Sequence, residues 1–317
     1  MNYEDIINVK FWEEQWAEAK RSAFLSKSQS VKPESWLDFF DSISDIYLKI
    51  WGNGDYFGKT AVNTLIAENL INKESTVLDA GCGPGTLAIP MAAHTAKVTG
   101  IDYSSAMLNV LKREALKQNI FNIETICTPF DSYSPDTQYD LVTASFVPPS
   151  LNPDGIRKME SWTKGYCAVM VGAGINSQKI PNILWNEVMD RAAPVSGIHL
   201  IYLMGYLIAS GRMPNIKHIS NSYLFRCPVE DMVRFYTAYF GMFIDGEETD
   251  SDNADNSDRA DNIDNSKSRS IIDIENKIHN ALKHFIKDGN IEYQEEMNTC
   301  IVWWKKLNFQ VKPAGNW

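Results

Sequence analysis

The sequence predicts an α/β fold in which a mostly parallel sheet is covered by helices on both faces, and two observations lead to it. Between residues 76 and 172, five short apolar segments are each flanked by Gly, Pro, Asn or Asp, as β-strands commonly are. Helical patterns separate the first three segments, and a helix that connects consecutive strands makes them parallel. The predicted strands are Thr76–Ala80, Lys97–Asp102, Ile123–Cys127, Tyr139–Ser145 and Tyr166–Gly172.

Two crossover helices are predicted between these strands. The first covers Thr86–Thr95 and the second begins at Ser104, a residue type that favours the start of a helix. Apolar side chains from Met107 to Ala115 recur on one face of the second helix, while its basic side chains lie on the other. We therefore assign residues 71–172 to a core with a doubly wound sheet.

The N-terminal residues 1–70 are helical in pattern and rich in large aromatic side chains. Two roles are open for this helical cap. It covers one edge of the sheet, or it forms a lid over a ligand pocket, because pockets are lined mainly by apolar and aromatic groups.

The C-terminal part of the same domain is predicted to comprise residues 173–244 and 271–317. We expect strands at Ile216–Phe225 and Met297–Trp304 and a helix at Ile271–Ile286. Between the two parts, residues 245–270 repeat Asp, Asn and Ser with few apolar side chains, so a disordered acidic insertion is predicted.

Charge and hydropathy restrict the function classes. The chain has a net charge of −10, of which the stretch from Asp245 to Ser266 carries −8, so the rest is nearly neutral and has no basic stripe. Nucleic acid is therefore not expected as a partner, although a small structured RNA stays open. The longest uncharged apolar run, Ile198–Ala209, is shorter than the ~20 residues that cross a membrane.

Other composition signals are weak. The acidic N-terminus lacks an apolar leader segment, so a cytoplasmic location is expected. Five scattered cysteines without a C-x-x-C pair favour neither disulfides nor a zinc site, and no metal is expected. The oligomeric state is left open.

The most informative segment is the turn after the first strand, where Gly81, Gly83 and Gly85 alternate with other residues before a helix begins. Backbone without side chains lets a ligand approach closely, and amide groups at the start of a helix donate to polar groups. Asp102 ends the next strand, where a carboxylate can accept hydrogen bonds from both hydroxyls of a ribose. An adenosine-type cofactor is implied.

A nicotinamide dinucleotide is one candidate cofactor, because Gly83, Gly85 and Ala88 also fit the G-x-G-x-x-G/A pattern. However, the apolar run ends at Leu78, which favours Gly81 as the first glycine of the turn and places Asp79 at the end of the strand. A carboxylate beside two phosphates would be repulsive. Asp79 therefore favours S-adenosylmethionine, which has an ammonium group and no phosphate.

Four segments in order resemble the motifs of class I S-adenosylmethionine-dependent methyltransferases, which have a Rossmann-like fold. The segment Asp79–Gly85 (DAGCGPG) looks like the family's signature, and Asp102–Leu108 is similar to the second motif. Phe130-Asp131 and Tyr139–Val142 resemble the positions after the third strand and on the fourth. The resemblance covers roughly residues 70–172. The family's Lys-Pro-Gly-Gly turn before the fifth strand is missing.

The resemblance implies roles for individual residues. The three turn glycines would hold the methionine part, Asp102 the ribose hydroxyls, Met107 one face of the adenine and Asp131 the adenine amino group. Met107 could instead belong only to the core, and Asp131 could be only an acid of a surface loop. The predicted cofactor-binding set is Asp79, Gly81, Gly83, Gly85, Asp102, Tyr103, Met107, Asp131 and Ser145.

For the reaction, alignment of donor and nucleophile is the main requirement, and a hydroxyl acceptor would also benefit from a general base. His199, with Tyr202 on the same apolar helix, is the candidate, although a structural histidine is the alternative. The loop from Ser145 to Pro149 carries Val147 where methyltransferases of adenine or glutamine amides have a polar residue, which disfavours that subgroup.

The predicted activity is methyl transfer from S-adenosylmethionine to a small molecule whose attacked atom is open. Three alternatives are a protein methyltransferase, a non-catalytic protein that binds the cofactor, and an NAD-dependent enzyme.

Overall fold

The computed structural model describes residues 7–51, 54–173, 179–194, 199–244 and 259–307. In these ranges eight strands form one sheet, in the order β3-β2-β1-β4-β5-β8-β6, with β7 paired to β8. The strands are β1 Thr76–Ala80, β2 Lys97–Asp102, β3 Ile123–Cys127, β4 Tyr139–Ser145, β5 Thr163–Gly172, β6 Asn215–Pro228, β7 Ile286–Lys287 and β8 Asn290–Lys305.

Helices cover both faces of this sheet. They are α1 Val9–Ser22, α2 Phe24–Val31, α3 Pro33–Ile43, α4 Tyr47–Ile50, α5 Gly54–Ala67, α6 Ala88–Ala92, α7 Ser105–Lys117, α8 Pro153–Trp162, α9 Lys179–Met189, α10 His199–Ala209, α11 Val229–Ile244 and α12 Arg259–Leu282. The first crossover helix is shorter than the predicted Thr86–Thr95, whereas Ser104 caps α7 as expected, its hydroxyl accepting from the Met107 amide.

The five strands from β3 to β5 are parallel, as predicted. Strands β1 to β4 have the predicted bounds, and β5 begins at Thr163, three residues before the predicted start. Strand β1 is buried on both faces because helices cover it from both sides. The predicted Rossmann-like, doubly wound arrangement is confirmed.

The other half of the sheet is antiparallel. Strand β8 lies between β5 and β6 and runs opposite to both. Only its last part, Thr299–Lys305, pairs with β5, while Asn290–Asn298 continues with β6 beyond the edge of the parallel strands. The sequence predicts only Met297–Trp304 as strand, because the earlier residues are mostly polar and acidic and lack a long apolar run.

The residues predicted as one N-terminal cap are divided among three hydrophobic clusters. Helix α5 packs on the face of the sheet that α6 and α7 also cover. Helix α3 packs with α9, α11 and α12 on the extension of β6 and β8, and this helical cluster includes Trp36, Phe39 and Ile43. Trp16 of α1 is fully buried on the opposite face of the sheet, with α8 and α10.

The predicted acidic insertion, 245–270, lies partly outside the described residues, since its first part, 245–258, is not described. Its second part does not fit the prediction, because α12 begins at Arg259 and the backbone of residues 259–270 is helical. The helix continues into Ile274, Ile278 and Leu282, which recur every four residues and are buried against the helical cluster. We attribute the longer helix to this packing, which composition does not reveal.

No helix in the described part of the chain is long and apolar enough to span a bilayer.

A largely buried ion pair joins α8 to the loop after α10. The guanidinium of Arg212 donates to both carboxylate oxygens of Glu160, at 2.6 Å each, and the Trp304 indole N–H donates to the same carboxylate at 2.8 Å. The side chains of the pair are only 13% and 12% exposed. The pair therefore links one helix, one loop and strand β8 through a single carboxylate.

Glu160→Gln is expected to lower the free energy of unfolding by about 2 to 3 kcal/mol, because a largely buried guanidinium loses its charged partner. Urea unfolding at pH 7 measures the change. Glu124→Gln, in the exposed pair with Lys97, is the matched control and should cost less than about 1 kcal/mol. Equal losses for the two variants would contradict the structural role of Glu160.

Candidate functional site

The glycine turn after β1 has the open backbone that the sequence predicts. Gly81, Gly83 and Gly85 all have positive φ angles, of 68°, 49° and 94°. The Gly81 amide donates to the Ile101 carbonyl at 2.8 Å, which fixes the turn to the end of β2. A Cβ atom on Gly83 would meet no atom within 4 Å, so the space beside this residue is open.

Asp102, the last residue of β2, is held against this turn. Its carboxylate accepts one hydrogen bond from the Gly83 amide and one from the Ser104 amide, both at 2.9 Å. The side chain is 8% exposed. Burial raises the pKa of Asp102, these amide hydrogen bonds oppose the rise, and the nearby Asp41 adds to it.

Asp79 lies on β1, two residues before the first glycine of the turn. Its carboxylate accepts from the Thr143 hydroxyl at 2.9 Å and from the amide of Ala88 at the start of α6. The side chain is fully buried, and this burial raises the pKa of Asp79 to about 7, with a smaller contribution from Asp102. The group thus changes its charge near neutral pH.

A third carboxylate reaches the site from the N-terminal part of the chain. The Ser104 hydroxyl donates to Asp41 of α3 at 2.5 Å. Helix α3 is thereby tied to the residue that follows the Asp102 strand. Sequence analysis missed Asp41, because 63 residues separate it from Ser104 and no motif marks it.

Tyr103 and Met107 both contact the N-terminal helices. The Tyr103 ring meets Phe40 of α3 edge to face, with 6.2 Å between centroids. Met107 is 2% exposed and belongs to the helical cluster that contains Trp36. The predicted contact of Met107 with an adenine stays a prediction, and its core packing is what the structure describes.

Ser145 ends β4, and the chain then turns sharply. Phe146 has a φ angle of 54°, which is rare for a residue with a side chain, and its ring is 54% exposed beside Phe57 of α5. The next residue, Val147, covers the glycine turn: a Cβ atom on Gly81 would lie 2.4 Å from its Cγ2 atom. The loop after β4 therefore borders the turn directly.

Asp131 lies in a segment that contacts this loop. It is exposed, in the one-turn helix Phe130–Ser132, and Lys158 donates to its backbone carbonyl. The charge of its carboxylate acts on Lys20 of α1. The predicted adenine contact of Asp131 stays a prediction.

His199, the predicted base, begins α10 and is half-buried. Its Nδ1 atom accepts from the Trp16 indole N–H, at 3.5 Å. Burial, together with the charge of Lys20, lowers the pKa of His199 to about 4, so the ring is neutral at pH 7. A neutral ring that accepts at Nδ1 has its proton on Nε2 and offers a donor there, not the lone pair that a base needs. The Tyr202 ring stacks nearly parallel to Trp16, at 6.5 Å.

Lys20 joins this group, and sequence analysis did not identify it. Its ammonium group donates to the Pro148 carbonyl, at 3.0 Å, in the loop after β4. Burial lowers the pKa of Lys20, and Asp131 opposes the change. The role of Lys20 could not be recognised from the sequence, because most lysines of amphipathic helices have their ammonium group in water.

No cluster of three or more His, Cys, Asp or Glu that could hold a metal ion occurs among the residues the structure describes.

Comparisons with known proteins find a family and relatives for part of the chain. Residues 77–164 match the family model described as a methyltransferase domain. A ubiquinone biosynthesis O-methyltransferase of Coxiella burnetii is 37% identical over 79 residues, which cover 25% of this chain and 33% of that protein. The protein of the same name from Acinetobacter baylyi is 44% identical over 69 residues, covering 21% and 29%. The chain thus matches about a third of the length of these relatives.

Among solved structures, the YcgJ protein of Bacillus subtilis superposes with a TM-score of 0.44 and 13% identity, covering 79% of this chain and 99% of that one.

The match to the family model is confined to residues 77–164, and the predicted resemblance to the class I, S-adenosylmethionine-dependent methyltransferases is confirmed for this part of the chain. The parallel sheet and the glycine turn after its first strand are the features that define this class here.

The raised pKa of Asp79 predicts a pH-dependent stability. The folded state favours protonated Asp79, so this contribution is fully present below about pH 4 and is lost as the pH rises through about 7. Asp79→Asn should therefore gain about 2 kcal/mol of stability relative to wild type between pH 5 and pH 8.

Urea unfolding of both proteins at the two pH values measures this difference. Asp136→Asn, which changes an exposed acid, is the control and should show the same pH dependence as wild type. A parallel pH dependence of Asp79→Asn and wild type would refute the assignment.

Proposed function

We propose that the protein transfers a methyl group from S-adenosylmethionine to a small-molecule acceptor. One observation carries the proposal: the Asp102 carboxylate is fixed by the Gly83 and Ser104 amides beside an open glycine turn. Such a carboxylate at the end of the second strand suits the two hydroxyls of a ribose.

The residues around the turn fit this cofactor better than a dinucleotide. Three carboxylates lie near the turn: Asp102 accepts from the Gly83 amide, Asp79 precedes the turn on β1, and Asp41 accepts from Ser104, whose amide donates to Asp102. They would repel a pyrophosphate and attract the ammonium and sulfonium charges of S-adenosylmethionine. The NAD-dependent alternative is disfavoured for this reason.

We assign the predicted residues as follows. Asp102 would hold the ribose, Asp79 in its ionised form the ammonium group, and the amides of the turn the rest of the methionine part. Tyr103, Met107, Asp131 and Ser145 stay proposed neighbours of the adenosine and methionine parts. When bound, S-adenosylmethionine supplies a methyl group on a positively charged sulfur, which a nucleophile can attack without further activation.

The chain's own contribution is to align the reactants and exclude water. Helix α5 covers the turn so closely that a Cβ atom on Gly58 would lie 2.1 Å from the Thr86 carbonyl oxygen. Val147 covers Gly81 from the loop after β4. Helices α1 and α10 close the acceptor side, where the Trp12 ring packs on Gly205.

An oxygen acceptor is the version we favour. Two relatives are named O-methyltransferases. The Lys20 ammonium, which contacts the loop after β4, is a cation, and the neutral His199 ring offers an N–H donor. These two groups suit an oxygen acceptor better than a protonated amine.

Gly83→Ala tests the cofactor site. The added methyl group meets no protein atom, so the variant should fold with a loss of about 1 to 2 kcal/mol from the positive φ angle. It should nevertheless bind S-adenosylhomocysteine at least about tenfold more weakly, because the methyl group occupies the space of the ligand. Isothermal titration calorimetry measures the affinity.

The matched control is Gly289→Ala, in the hairpin between β7 and β8. Gly289 also has a positive φ angle, 73°, and open space around it, so the backbone cost is similar. Its affinity for S-adenosylhomocysteine should equal that of wild type. Equal affinities of all three proteins would argue against a cofactor site at the turn.

The acceptor is identified by incubating the protein and labelled S-adenosylmethionine with a cell extract. We expect label in the small-molecule fraction with wild type and none with Asp102→Ala. Label in the protein fraction would instead support a protein methyltransferase.

A further inference from the structure

We propose that Lys20 and His199 form an oxyanion-binding site for the acceptor, and that the acceptor is an aromatic compound whose reacting oxygen is acidic, a phenol or a carboxylic acid. The inference rests on the proposed methyl transfer and adds to it the class of acceptor.

The first argument is position. The Lys20 ammonium donates to the carbonyl of Pro148, and Val147, the preceding residue, packs on Gly81 of the turn. Two adjacent residues of the loop therefore contact the Lys20 ammonium and the glycine turn, respectively, and the proposed methionine part would lie at this turn. His199 contacts Trp16, which lies four residues before Lys20 on the same face of α1, so the ring and the ammonium lie about one helical turn apart.

The second argument is charge. The ammonium is half-buried, and the charged group that acts on it is the Asp131 carboxylate. An exposed acid at the surface screens such a charge only in part, and one carbonyl uses only one of the three ammonium donors. An anionic oxygen would compensate the charge, whereas a protonated amine would be repelled.

The third argument is the direction of the hydrogen bonds. The Trp16 N–H is donated to Nδ1 of His199, which leaves the Nε2–H as a donor. The two groups therefore offer a cation and a neutral donor, and no acceptor for an N–H or an O–H. This combination stabilises negative charge on an oxygen, as donors in an oxyanion hole do.

The fourth argument concerns the body of the acceptor. The half-buried Tyr202 ring stacks on the fully buried Trp16, and the Phe146 ring, at the start of the loop after β4, is 54% exposed. The Phe146 amide donates to the Met170 carbonyl at 3.1 Å, which supports its left-handed backbone and leaves its ring exposed. Two accessible aromatic rings, of Phe146 and Tyr202, suit an aromatic acceptor.

The reaction balances with these groups. The acceptor loses its proton to water and binds as the anion, held by Lys20 and His199. A lone pair of its oxygen forms the new O–C bond, while the C–S bond breaks and leaves its electron pair on sulfur. Lys20 stays protonated throughout.

4-Nitrophenol is the probe, because its anion is yellow and its neutral form is colourless. Titration of the probe with wild-type protein, with and without S-adenosylhomocysteine, should show that the bound probe ionises about one pH unit below the free compound. 4-Nitrobenzoate should also bind, whereas 4-nitroaniline, with the same shape and no charge, should bind at least about tenfold more weakly.

Lys20→Met keeps the length of the side chain and removes the charge. The variant should lose the shift in ionisation and the preference for the anions, while Lys20→Arg should keep the preference. Lys112→Met, which changes an exposed lysine of α7, is the control and should behave as wild type. Tighter binding of nitrophenolate assigns a phenol, and tighter binding of nitrobenzoate a carboxylic acid.

Calorimetry with S-adenosylhomocysteine keeps the two hypotheses apart. Lys20→Met should bind it as wild type does, because the proposed cofactor residues are unchanged. Anion binding that is equal in wild type and Lys20→Met, or absent in both, would overturn the oxyanion site. Failure of wild type to bind S-adenosylhomocysteine would instead count against the proposed function.

Discussion

The site depends on one constraint, which is that the Asp102 carboxylate is held at the edge of the sheet by two backbone amides. The Gly83 amide can reach it because the turn has a positive φ angle, and the Ser104 amide because a helix begins there. The glycine turn and Asp102 lie at the same edge of the sheet, because β1 and β2 are parallel neighbours. A buried carboxylate without these donors would cost several kcal/mol.

Around this carboxylate the chain places elements from both of its ends. Asp41 comes from α3, and the helical cluster that supports α3 includes α11 and α12 near the C-terminus. On the opposite face, α1 brings Lys20 and Trp16 to α10. The parallel sheet therefore positions Asp102 and the glycine turn, and helices outside residues 77–164 supply the other groups of the proposed site.

The parallel core was predictable almost residue by residue, because each buried strand is a short apolar run between turn residues and each needs only local sequence to be recognised. The first half of β8 was not predictable in this way, since its polar residues gain their strand conformation from pairing with β6. The helical backbone at 259–270 was missed for a similar reason, because the packing of α12 lies farther along the helix.

The sequence by itself determined the glycine turn, Asp79, Asp102 and the positions of the parallel strands in the chain, because the chemistry of a tight turn and the alternation of strand and helix are local properties. Only the tertiary structure decided that Asp41 contacts Ser104, that Lys20 contacts the loop after β4, and that His199 accepts from Trp16 and so presents a donor at its other nitrogen. These residues are far apart in the chain, and burial and hydrogen-bond partners, which set their charge, exist only after folding.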